Sequence, residues 1–208
     1  MHRIFLSLAS LALAGCIESP VPLESGGTVS DPALIGAWKS DFAGDPMVAT
    51  IRQEANGDLV ADVQAYWEPG PKAATKHYQI VLAKFDGQRY MSIKDPELTP
   101  DYAIARYMFK GEDRFCLHAA FSEALVKDLE LKKLPGELKP DRHLSTVELN
   151  ASSEQLRDYF ASHGANAFHE QPLMAFERVS SAVLPPPRTQ QDRDRDPPGF
   201  NEVAPCRP

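Results

Sequence analysis

The chain has 208 residues, 25% of them charged, and a formal net charge of −7 at neutral pH. A moderately acidic chain offers no basic footprint, which excludes nucleic acid and an anionic membrane surface as electrostatic partners. The length suffices for one domain with a proper core, and no stretch after residue 16 is both long and apolar enough to span a bilayer.

The chain opens on His2 and Arg3 and runs into an apolar stretch over residues 4–14 whose only polar members are Ser7 and Ser10. About a dozen apolar residues fall short of a ~30 Å hydrocarbon core but suit a secretory signal. Leu13-Ala14-Gly15-Cys16 follows, and these four residues resemble the lipobox of bacterial lipoproteins. The resemblance implies that residues 1–15 are a signal peptide removed before Cys16. It also implies a diacylglycerol on the Cys16 thiol and an acyl chain on the new amino group. That load exceeds what stable membrane attachment requires. Ile17 stands where lipoproteins kept in the inner membrane carry Asp, so a Gram-negative envelope would place the anchor in the outer membrane, facing the periplasm.

Residues 16–31 then read as the lipidated cysteine and a flexible tether. They hold Pro, Ser and Gly without periodicity, and their maximum reach is roughly 50 Å. Residues 32–179 read as one β-rich domain. Alternating apolar positions predict strands starting at Leu34 and over 47–54, 59–67, 77–85, 88–94, 102–109 and 114–121. Asn56-Gly57 and Asp86-Gly87 supply hairpin turns. A helix is expected over 122–134, stopped by Pro135-Gly136. A second is expected over 152–163, opened by a capping box at Ser152 and Gln155 and closed by Gly164. Strands at 144–149 and 173–179 complete the domain, and the last can pair with the first. The fold class is mostly β with some α, an antiparallel barrel or sandwich with two short helices late in the domain. Residues 180–208 hold seven of the 18 prolines and balanced charge, which reads as a disordered tail.

Gly36-Ala37-Trp38 at the start of the first barrel strand resembles the Gly-x-Trp opening of lipocalin-like barrels. The resemblance implies that Trp38 plugs the closed end and that a late arginine packs over it. Arg178 is the first candidate and Arg106 the second.

No nucleophile elbow, phosphate loop, dinucleotide fingerprint or His-Glu-x-x-His motif occurs, so no catalytic residue and no cofactor is assigned. Cys116 and His118 share one face of a strand, but no further ligand completes a metal set. His163, His169 and Glu170 read as loop residues, and Asp141-Arg142-His143 as a polar turn. Once Cys16 is committed to lipid, Cys116 and Cys206 are candidates for a disulfide, the alternative being a buried Cys116 and an independent Cys206. Trp67, Tyr78, Tyr90 and Tyr102 are candidate linings of an apolar ligand cavity, weighed against simple filling of the barrel.

Together these features point to a non-enzymatic, lipid-anchored envelope protein that binds a partner protein or a small apolar ligand. The alternatives are an envelope scaffolding factor working through the Pro-rich tail, and a periplasmic hydrolase.

Overall fold

A computed structural model describes residues 17–27, 29–42, 45–66, 72–120, 123–139 and 146–186. Eight antiparallel strands close into a barrel. In order they are β2 (Gly36–Phe42), β3 (Asp45–Gln53), β4 (Leu59–Ala65), β5 (Ala74–Phe85), β6 (Gln88–Lys94), β7 (Tyr102–Phe109), β8 (Arg114–Ala119) and β11 (Met174–Val179). Each pairs with its neighbour, and β11 returns to β2 with Arg178 opposite Trp38. This is an up-and-down barrel, which leaves no open edge in the ring.

Alternation decides which side chains go inside. Trp38, Ile51, Val63, Ile80, Met91, Tyr107, Phe115 and Phe176 form one interior core. Alanines at 49, 61, 65 and 105 belong to the same core and make room for the aromatic rings. Phe115 stacks on Phe176 at 4.6 Å and meets Trp38 edge-on at 4.7 Å.

Between β8 and β11 the chain makes an insertion: α1 (Glu123–Glu130), β9 (Gly136–Lys139), β10 (Thr146–Leu149), α2 (Ser153–His163) and a short 3-10 turn, Gly164–Ala167. It covers the outer wall of β5, β6 and β7. Ala83, Tyr90 and Ile104 from that wall pack with Leu125, Leu156, Phe160 and Phe168 in a second core. Ser152 caps α2 through the expected capping box, and Gly164 follows it at φ +52°. The first helix ends before Pro135. Lys132 adopts φ +55°, Lys133 N–H donates to the Asp128 carbonyl and Lys132 N–H to that of Leu129. That is a Schellman stop on a non-glycine residue.

The largest departure from expectation is at the start. Residues Ile17–Ser19, read from sequence as tether, form strand β1. It lies antiparallel to β7 and parallel to β10. Ile17, Ser19 and Leu23 are fully buried. The segment is fastened further by Leu23 N–H to Ser92 Oγ, Lys84 N–H to Ser25 Oγ, and Ser153 Oγ to the Pro22 carbonyl. Three residues cannot show periodicity, and Pro20 and Pro22 mask the apolar pattern. β9 was likewise not expected. Its first residue, Gly136, runs so close to β10 that a Cβ would lie 2.6 Å from the Glu148 carbonyl oxygen. The 54–58 turn also differs: Ala55, Asn56 and Gly57 make a three-residue loop in which only Gly57 has positive φ, and the Asn56 side chain bonds Asp58 instead.

Candidate functional site

The barrel end nearest residue 36 is shut. A 3-10 turn, Pro32–Leu34, folds under it with Leu34 fully buried, and Trp38 Nε1–H donates to the Leu34 carbonyl at 2.8 Å. The structure brings Trp38 and Arg178 together, with the guanidinium 4.2 Å from the ring centroid. The same guanidinium donates to the carbonyls of Ala33 at 2.5 Å and Ile35 at 3.0 Å. Gly36 makes this possible: its φ is +135°, and a Cβ there would stand 2.7 Å from Arg178 Nη1. Arg106, the second candidate for that partner, lies elsewhere, on the outer wall beside Phe168.

Of the four candidate lining aromatics, the three among the described residues do not converge. Tyr78 is inside the barrel, and burial pushes its phenol well above the usual range. Tyr90 points outward into the second core, stacked on Phe85 at 4.5 Å. Tyr102 is half-buried at the start of β7, with Lys94 Nζ 5.1 Å from its ring centroid. Trp67 lies outside the described residues. A hollow of about 110 Å³ sits at the shut end, lined by Val29, Ser30, Asp31, Lys84, Arg89 and Tyr107. Tyr107 O–H donates to Asp31 there at 2.9 Å, and Arg89 is 3.5 Å from the same carboxylate. Pockets for drug-sized ligands run from about 300 Å³ upward, so this one suits a few waters.

Outside the barrel, three polar side chains form a row across β6, β7 and β8: Tyr90 opposite Arg106, and Arg106 opposite His118. Their relative exposures are 0%, 8% and 1%. Tyr90 Oη, Arg106 Nε and His118 Nε2 each lack a hydrogen-bond partner, and among the described residues no carboxylate pairs with Arg106. Phe168 covers the guanidinium with its ring centroid 5.9 Å away. His118 Nδ1 faces the His169 carbonyl at 3.0 Å, so that nitrogen donates and Nε2 is bare. Burial lowers the pKa of both His118 and Arg106 and raises that of Tyr90 to about 12. Sequence patterning had no signal for this row, since all three residues sit at positions that a one-sided strand would expose.

Cys116, two residues before His118 and fully buried, is disulfide-bonded. It therefore offers no thiolate to a metal, and among the described residues no group of three potential ligands clusters. Cys16 and Cys206 both lie outside the described residues. No family model, curated protein or solved structure matches this chain.

One further cluster has the composition of a proton relay. Asp128, 5% exposed, receives Lys133 Nζ at 2.8 Å, His163 Nε2 at 3.0 Å and Tyr159 O–H at 3.3 Å. The Lys133 hydrogen bond above all holds its carboxyl below the usual range. Ser162 Oγ is 2.9 Å from His163 Nδ1. Yet Nδ1 also faces the Tyr159 carbonyl at 2.9 Å, and Ser162 O–H donates to that same carbonyl at 2.8 Å. Both ring nitrogens are thus placed to donate, and neither is placed to take the Ser162 proton. The cluster ties the end of α2 to α1. His169 and Glu170 follow the 3-10 turn after α2 and are exposed, and Asp141-Arg142-His143 lies outside the described residues.

Proposed function

We propose that this chain is a lipid-anchored, non-enzymatic cell-envelope protein that works by binding an envelope partner through the outside of its barrel domain. The observation that carries the reading is the Leu13-Ala14-Gly15-Cys16 lipobox after a short secretory h-region. The filled interior favours a protein partner over an apolar ligand. Tyr78, Tyr107, Phe115 and Phe176 occupy the space that a ligand would need.

The lipid reading requires a free Cys16 thiol. Cys116 is disulfide-bonded, and Cys206 is the partner we propose for it, which leaves Cys16 available for acylation.

Substituting Cys16→Ser tests the reading. The variant should leave the membrane fraction and retain residues 1–15, whereas membrane association with normal processing would refute lipidation. Cross-linking the native protein in its membrane should capture an envelope protein. An acyl-chain ligand retained on purification would contradict the filled interior.

A further inference from the structure

The row of Tyr90, Arg106 and His118 on the outer wall of the barrel consists of three polar side chains, each more than nine-tenths buried. We infer that this row is a binding site for one small monovalent anion of chloride size, held between Arg106, Tyr90 and His118. The inference is independent of the lipid-anchor reading.

Strand register puts the three residues side by side. Tyr90 on β6 stands opposite Arg106 on β7, and Arg106 stands opposite His118 on β8. Alternation turns all three outward, since their neighbours Met91, Tyr107 and Leu117 line the interior core. Residues directly opposite on antiparallel strands have their side chains about 5 Å apart, so one small ion beside the middle residue is within reach of both others. The second core roofs the row. The Phe168 ring centroid lies 5.9 Å from the Arg106 guanidinium and 5.6 Å from the Tyr90 ring. Under that roof Tyr90 Oη, Arg106 Nε and His118 Nε2 are the buried atoms without a partner in the protein. Three such atoms on adjacent residues call for a shared ligand.

Charge selects the ligand. A guanidinium stays protonated in a protein, and a buried charge without a countercharge is costly. Among the described residues no carboxylate pairs with Arg106, and its Nη1–H donates to the neutral Gln88 Oε1 at a long 3.4 Å. Water would satisfy hydrogen bonds without neutralising that charge, whereas an anion does both. Burial pushes the Tyr90 phenol up to about 12, so its O–H keeps its proton and donates. His118 Nδ1 donates to the His169 carbonyl, so Nε2 donates only from the imidazolium, and the anion and one proton bind together there. The groups around that ring are Arg106 from β7, Tyr90 beyond it on β6, and the carbonyl of His169, whose own ring is exposed. On the β11 side, Met174 stands opposite Leu117, so register brings apolar Leu173 beside His118. One guanidinium matches one negative charge, and the roofed row suits a small ion.

The test follows thermal unfolding of the purified full chain at fixed ionic strength while chloride replaces gluconate, an anion too large for the row. A ligand that binds only the folded state raises the midpoint with its concentration. Wild type should gain several degrees and level off, while Arg106→Met, the more stable protein in gluconate, should gain none. Tyr90→Phe, which keeps the ring packing, should need several-fold more chloride for the same gain. The gain should be larger near pH ~6 than near pH ~8, and His118→Gln should remove that difference. Bromide used as the probe in crystals should give an anomalous peak between residues 90, 106 and 118. Equal gains in wild type and Arg106→Met overturn the site. No gain in either also overturns it and leaves water as the occupant. A bromide peak without stabilisation in solution means an adventitious ion only and overturns it as well. A gain of equal size at both pH values overturns the part assigned to His118.

Discussion

At the scale of single residues, two arginines show how context sets the value of a charge. Arg178 has its cation over Trp38 and its fork on two carbonyls that β-structure leaves unpaired. Arg178→Ala should cost about 2–4 kcal/mol, from the lost ring contact and charge-assisted bonds. Arg178→Lys should recover little, because a single ammonium cannot span both carbonyls. Chemical denaturation of the two variants measures this, and a Lys variant of wild-type stability would contradict the account. Arg106 is the opposite case, buried with no carboxylate partner among the described residues and with one long hydrogen bond, from Nη1 to Gln88 Oε1 at 3.4 Å. Replacing a buried charge that no carboxylate compensates by an apolar side chain of similar volume is stabilising, so Arg106→Met should raise stability by about 1–3 kcal/mol. A destabilised Met variant would show that the row makes a compensating interaction.

His118 carries a pH prediction of definite sign. Burial lowers its pKa in the folded state, so the unfolded chain binds the proton first, near pH ~6.5. Stability attributable to this residue is full above that value and is lost as pH falls below it. His118→Gln should flatten the acid limb of stability against pH relative to wild type. Parallel curves would contradict a neutral buried imidazole.

At the scale of elements, strand β1 is the most exacting test of the fold. Three residues at the start of the described chain hold the barrel wall to β10 and, through Leu23 and Ser25, to β5 and β6. Ile17→Ala should cost about 2–5 kcal/mol, as for other large-to-small changes in a core. Limited proteolysis of the native protein should spare residues 17–27. Rapid cleavage there would restore the tether.

The barrel strands and second helix were legible in sequence because each runs long enough to show its period and ends on a strong signal: Asp86-Gly87, Ser152 with Gln155, Gly164. The Trp38–Arg178 contact was legible through resemblance, since the two are 140 positions apart and no local pattern joins them. β1 and β9 were not legible. Three and four residues are too short for periodicity, and their stability comes from sheet partners distant in sequence. The outward direction of Tyr90 was hidden for the same reason. A strand covered on both faces by barrel core and helical insertion loses the apolar-polar alternation that reports a side. The Lys132 stop escaped because αL at lysine leaves no compositional mark.

At the scale of the whole molecule, the structure has two cores back to back across one wall, a filled barrel and a helical layer outside it. That arrangement leaves little room for a ligand within the described interior and favours recognition through the outer surface. It also fixes Ile17–Ser19 to the wall that separates the cores. The proposed role in the envelope depends on acylation at Cys16. Intact and peptide mass spectrometry of the native protein, extracted from membranes without reduction, decides whether that modification is present. The expected protein begins at Cys16, carries diacylglycerol and an N-acyl chain there, and links Cys116 to Cys206. A full-length chain with an unmodified Cys16, or a disulfide between Cys16 and Cys116, would contradict it.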